Sequence, residues 1–232
     1  MNGNATGFVD VNQEPLHQEL ISNSYFRVYR AVLTPGKATE YHRHFRNTLY
    51  IVCKGGRIST QLLAGSPACP NILPQGLPWR LKLKLLIGKW LTGNLDLPTG
   101  FLFYMPSKNF PVVHKAVASK KNAVDMELLG IEIIRGCGES PAKANHQVGV
   151  SVIDTDDAGV HRLSLEPDRQ TINLHCEAPF LVVLTSASAE IEDAGSSHRI
   201  APGECRYFDA GTWLAISNSR SNRGDLLMIS VT

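Results

Sequence analysis

The sequence predicts an all-β fold arranged as two barrels, on three observations. Short runs rich in aromatic and β-branched residues recur along the chain, each stopped by a turn containing Gly or Pro. Within several of them apolar and polar residues alternate, which is the period of a half-buried strand. A turn-rich break, Gly136-Cys-Gly-Glu-Ser-Pro141, separates two successions of such runs, giving residues 25–136 and 137–232 as the barrels and 1–24 as an N-terminal arm.

Composition narrows the partners. With Lys+Arg 23 against Asp+Glu 21 in 232 residues, the net charge is only +2, so no nucleic-acid or membrane partner is indicated. The five cysteines, Cys53, Cys69, Cys137, Cys176 and Cys205, are odd in number, widely spread and form no C-x-x-C pair, which implies neither a disulfide framework nor a zinc ribbon. No basic segment followed by an apolar core opens the sequence, and no apolar run approaches the roughly 20 residues of a membrane span. A cytoplasmic location is therefore expected. Asn4-Ala5-Thr6 fits a glycosylation sequon, read as chance in a chain without a signal.

Residues 1–23 are mostly polar and carry Pro15, hence the arm. Tyr25 to Leu33 is the first strand, closed by the Pro35-Gly36 turn, and its Phe26, Val28 and Val32 share one face assigned to the core. Next comes the only His-x-His of the chain. In an extended strand successive side chains take opposite faces, so His42 and His44 project together while Arg43 points away. That geometry suits a metal. Glu40 shares their face by period two, but it stands toward the strand's start, where an exposed rim position is expected. Tyr41 and Arg43 are expected to pack or pair on the outside.

Leu49–Cys53 and Arg57–Leu63 continue the succession of strands, with Cys53 read as a buried, inert thiol. Residues 64–99 then break the pattern. Pro67, Pro70, Pro74 and Pro78 precede, and Pro98 follows, the segment Trp79 to Ile87, whose alternation of Leu with Arg or Lys predicts a strand. An insertion of this size is expected at the barrel rim, either as a lid or binding loop or as a solvated face carrying Arg80, Lys82 and Lys84. After it come Gly100–Pro106, His114 and Asp125–Ile134; beyond the break, strands are predicted around 161–165, 171–174, 180–185, 189–192, 200–213 and 225–231.

Gly36, His42, His44 and Gly55 or Gly56 fall in register with the first motif of the cupin superfamily, which this segment resembles: Gly, five residues, His-x-His, three or four residues, Glu, six residues, Gly. Thr48 or Leu49 stands where that motif has its Glu. Gly100, Pro106 and His114 can be laid on the second cupin motif, although Lys108 and Ala118 replace its second Gly and its Asn, and His114 lies eight residues past Pro106 instead of five. The second half resembles the degenerate cupin repeat at the C-terminal end of phosphomannose isomerases, in Ala178-Pro-Phe-Leu-Val-Val-Leu and Ala201-Pro-Gly-Glu. It has no His-x-His, and its nearest analogue is His175-x-Glu177.

The resemblance implies a bicupin of two jelly-roll barrels, the first with a site of His42, His44 and His114 and the second structural and metal-free. Three imidazoles suit Fe, Zn, Ni or Cu better than Mg or Ca. The implied activity is that of a metal-dependent small-molecule enzyme such as a dioxygenase. Two alternatives stand beside it: a non-catalytic ligand-binding or dimerising cupin, favoured by the replaced motif residues, and a sugar isomerase or epimerase-like cupin. A small-molecule ligand is the expected partner, with a homodimer allowed.

Overall fold

The structure is a computed structural model that describes residues 7–135, 149–167, 171–186, 188–218 and 223–231. The chain divides into two compact units, Met1–Ile134 and Arg135–Thr232. The Gly136–Pro141 break and the Asn4–Thr6 sequon lie outside the described residues.

The first unit begins with β1 (Val9–Asp10), a 3-10 turn (Val11–Gln13) and β2 (His17–Ser22). There follow β3 (Phe26–Leu33), β4 (His42–His44), β5 (Thr48–Lys54), β6 (Gly56–Leu62), the helix α1 (Trp79–Thr92), β7 (Leu95–Leu97), β8 (Leu102–Met105), β9 (Val112–Ala118) and β10 (Met126–Ile133). Two five-stranded sheets result, ordered β1-β4-β9-β6-β7 and β2-β3-β10-β5-β8. The chain crosses repeatedly from one sheet to the other, the path of a jelly roll.

The second unit comprises β11 (Val150–Asp154), β12 (Ala158–Leu165), β13 (Thr171–Cys176), β14 (Phe180–Ser186), β15 (Ala189–Asp193), β16 (Ser196–Ile200), β17 (Cys205–Phe208), β18 (Thr212–Asn218) and β19 (Gly224–Val231). Its sheets are ordered β11-β12-β19-β14-β17 and β13-β18-β15-β16. Adding nine to each first-unit strand number from β2 to β10 reproduces these orders. The topology is thus repeated, and β1 alone has no counterpart.

Three expectations need correction. Residues 9–22 are not an arm: β2 pairs antiparallel with β3, and β1 lies parallel to β4 with Val9 opposite His42. β2 is a mostly exposed edge strand, and a polar edge offers no alternation to read. In β3, Phe26 and Val28 are fully buried as expected, but Val32 is only half-buried, and the opposite face, with Tyr29 and Leu33, is buried as well. Finally, Trp79–Ile87 belongs to the helix α1 and not to a strand. Leu81 and Leu85 are four apart and pack toward the core, whereas Leu83 between them is 43% exposed. A period-two row of leucines contains a helical i, i+4 pair, and Leu, Lys and Arg are strong helix formers without β-branching. The prolines before Trp79 leave a free start, and the Pro78 carbonyl accepts from the amides of Leu81 and Lys82.

Candidate metal centre

The site is assembled by one strand pairing. β4 and β9 run antiparallel with His42 directly opposite His114, and His44, two residues on, projects from the same face as His42. The turn after β8 explains the lengthened second motif: the Pro106 carbonyl accepts from the Asn109 and Phe110 amides, and β9 starts only at Val112. The ring nitrogens of His42, His44 and His114 lie within 4.8 Å of one another. Their ring centroids are 4.8 to 4.9 Å apart and none of the pairs is stacked, so the rings converge edge to face around a common point.

Burial sets their protonation. His42 is 2% and His44 0% exposed. Loss of solvent lowers the pKa of His42 and, with His114 and His42 adding like-charge repulsion, takes that of His44 well below the imidazole range. Burial, then repulsion from His42 and His17, brings His114 down to about 3. All three are neutral at pH 7, the form in which imidazole ligates a metal. A carbonyl only accepts, so the 2.9 Å contact between His42 Nδ1 and the Glu40 oxygen places the hydrogen on Nδ1 and leaves the Nε2 lone pair free. Metal-bound histidines are commonly oriented in this way. Nε2 of His114 is buried with no hydrogen-bond partner. An orphaned nitrogen beside two further neutral imidazoles fits a cation of the transition series.

Among the described residues no carboxylate joins the three histidines. Thr48, at the motif's Glu position, is fully buried, and its hydroxyl donates to the Arg46 carbonyl at 3.0 Å. Two residues on, Tyr50 reaches the centre instead, its hydroxyl 3.4 Å from His44 nitrogens and 2.9 Å from the hydroxyl of Tyr29. Gly130 makes room for this arrangement, because a Cβ there would lie 2.2 Å from Tyr29 Cζ. Burial raises both phenol pKa values, so both stay protonated. Of the other buried charges nearby, Arg27 forms an ion pair with Glu132, and Glu14 accepts from the amides of Leu16 and Glu40 at 2.7 and 3.1 Å.

Sequence reasoning missed His17, which lay in the supposed arm. It stacks on Tyr29 at 4.4 Å and meets His42 edge-on at 4.9 Å. Its Nδ1 donates to the Val11 carbonyl at 3.1 Å, and burial, followed by His42, depresses its pKa to about 3. A lone His on a polar edge strand carries no signal for this role. Tyr50 was findable, since it shares the period-two face of Thr48.

Other sequence assignments resolve simply. Glu40 is exposed. Arg43 pairs with Asp10 at 2.8 Å on the outside, and Lys115 lies over the Tyr41 ring at 5.0 Å. Cys53 is partly buried, and desolvation first, then Glu127, raises its thiol to about 11. In the second unit His175 stacks at 4.3 Å on Trp213, whose side chain is largely exposed.

Beside the histidines is a cavity of about 290 Å³, bordered by His42, His114, His17 and Tyr50 and walled by apolar side chains such as Leu33 and Leu128. Ala68, Cys69 and Asn71 on one side of α1 and Gly93, Leu95 and Leu97 on the other also border it. The insertion thus contributes wall as well as rim.

No protein-family model matches the sequence, and no curated protein matches it either. Solved structures do match. A cupin 2 conserved barrel domain protein from Leptotrichia buccalis superposes with a TM-score of 0.53 at 10% identity, over 93% of this chain and 88% of that one. The chain has the cupin fold. The E. coli protein Ylba gives 0.58 at 12% identity, over 94% and 84%. Bacillus subtilis oxalate decarboxylase, which carries Mn(II) centres, gives 0.55 at 12% identity, over 90% and 69%. Identities this low bear on fold alone. No helix among the described residues is long and apolar enough to cross a membrane.

Proposed function

We propose that the first barrel is a metal-dependent cupin acting on a small molecule, with His42, His44 and His114 as the ligands of one divalent metal. The observation that carries this reading is the buried Nε2 of His114, left without a partner among three neutral imidazoles whose nitrogens lie within 4.8 Å. A metal held there would supply Lewis-acid or one-electron chemistry to a bound substrate. The protein's own part is separate. Glu40 fixes the tautomer of His42 through its carbonyl, the protonated Tyr50 hydroxyl can donate to a polar atom of the substrate, and the buried site excludes water. Without a carboxylate the donor set suits Fe, Zn, Ni or Cu better than the manganese of oxalate decarboxylase. An oxidative, dioxygenase-like reaction on iron is the class we favour.

The test is metal analysis of protein purified without added metal or an affinity tag. About one equivalent of transition metal is expected, falling below a tenth in His42→Ala and His114→Ala variants that retain their far-ultraviolet spectrum. Full occupancy in those variants would remove the assignment. Metal-free wild-type protein that also refuses added Fe(II), Zn(II), Ni(II) and Cu(II) would favour the non-catalytic ligand-binding cupin, to which the buried Thr48 already points.

A further inference from the structure

We infer that the first barrel takes an uncharged, largely apolar molecule carrying one polar head, and not a dicarboxylate, a sugar or a phosphate ester. The inference deepens the proposed function and rests on it for the head alone. The body of the ligand is argued from the cavity walls.

The polar groups are gathered at one place. His17, His42 and His114 form a contiguous set with centroid separations of 4.9 and 4.8 Å, and Tyr50 reaches the same centre through His44. Away from them the buried wall is mostly aliphatic or thioether, with Leu33, Ile58, Leu97, Met105, Val112 and Leu128, together with Thr39, whose hydroxyl accepts from the Ala116 amide at 2.9 Å. Among the described residues no Asp, Glu, Lys or Arg borders the cavity. Arg27 is paired with Glu132, and Glu14, 3.8 Å from His17 Nε2, accepts from backbone amides.

A second anionic group on the ligand would lose its water with no cation to replace it, and a polyol would bury hydroxyls against hydrocarbon. Each unpartnered polar group costs about 1–3 kcal/mol. Apolar groups gain by the same transfer. Size sets the other limit, because 290 Å³ stands at the low end of the roughly 300–1,000 Å³ usual for small-molecule sites. The mouth is framed by exposed residues, Thr60 and Leu62 at the end of β6 and Ala68, Asn71 and Gly93 of the insertion. Entry is therefore between β6 and the segments flanking α1.

The experiment is calorimetric titration of the purified full chain with four probes: naphthalene, 4-tert-butylcatechol, oxalate and mannose 6-phosphate. Naphthalene and the catechol are expected to bind and the two polar anions not to. Ala116→Phe, inside the cavity, and Ala68→Trp, at its exposed mouth, should each weaken both apolar probes about tenfold or more. The second variant changes only an exposed position, so it remains informative if the first does not fold. Naphthalene, having no head, is also titrated into the His42→Ala/His44→Ala protein. Binding retained there while metal is lost upholds the apolar pocket even if the metal assignment fails. Oxalate or mannose 6-phosphate binding more tightly than the apolar probes overturns the inference and leaves the metal assignment standing. Catechol binding that ignores both Ala substitutions, with no binding of naphthalene, also overturns it, since the metal alone would then be the receptor.

Discussion

The two barrels share a topology strand for strand and differ in what they place at the centre. In the first, β4 faces β9 with His42 opposite His114. In the second, the corresponding strands β13 and β18 pair Ile172 with Ile216 and Leu174 with Leu214, and all four belong to one buried apolar cluster. The connections differ as well. β15 and β16 are joined by Ala194-Gly195, both at positive φ, 45° and 84°, the tight hairpin that matches strand twist. Between β6 and β7 the same turn is replaced by residues 63–94, which include α1. One barrel spends its interior on packing; the other leaves a cavity, lines one side with imidazoles and extends a loop over its mouth. A jelly roll therefore needs none of these polar residues to fold, which is why their presence in the first barrel points to chemistry.

The strongest way to break that contrast is to carry the histidines across. Leu174→His or Leu214→His puts an imidazole into a filled apolar cluster with no partner and should cost the second unit about 2–5 kcal/mol each. Chemical denaturation followed by Trp213 fluorescence would show it. A loss below half a kcal/mol would mean that the second barrel tolerates polar groups as the first does, and the contrast would then carry no functional meaning.

Acid should separate the barrels next. His17 and His114 have pKa values of about 3 in the folded protein, against about 6.5 unfolded. As pH falls below 6.5 the unfolded chain takes up protons that the folded chain refuses, so stability is full above 6.5 and declines toward pH 3. The slope is about 1.4 kcal/mol per pH unit for each imidazole held neutral, or about 2 kcal/mol apiece by pH 5. Urea titrations of metal-free protein between pH 7 and 5 should show this decline, and His114→Phe should flatten it by one histidine's share. Identical slopes in the two proteins would sink the claim that His114 is held neutral.

Much of this was legible in the sequence because strand periodicity and glycine turns act locally. β3 follows from its aromatic and β-branched residues and β5 from an apolar run closed by glycines, and the His42/His44 pair from a period of two. His114 needed a resemblance, since which strand lies opposite β4 is a long-range fact. The rest was hidden for physical reasons. β1 and β2 are short or polar edges held by pairing rather than burial. α1 hid behind a leucine row that satisfies both periods. His17 joins the centre only because β2 adds to the sheet edge beside Tyr29, an event that leaves no mark on the residues themselves.

The smallest expected effect tests how the first barrel sustains polar groups in its interior. The hydroxyls of Tyr29 and Tyr50 are 2.9 Å apart, both rings are buried, and the Tyr50 hydroxyl's contacts with His44 are longer, at 3.4 Å. Tyr29→Phe keeps the ring that fills the space left by Gly130 and its stacking on His17. It removes one hydroxyl and leaves Tyr50 to be satisfied by His44 alone. The loss should be about 1 kcal/mol, that of a buried neutral hydrogen bond, with metal content unchanged because no ligand is touched. Tyr50→Phe removes the hydroxyl nearer the site and should cost a similar amount of stability. It should also weaken a ligand whose polar head the hydroxyl meets, which Tyr29→Phe should do less. Equal effects of the two on ligand affinity would place Tyr50 among the structural residues, and the polar face of the cavity would then consist of its imidazoles.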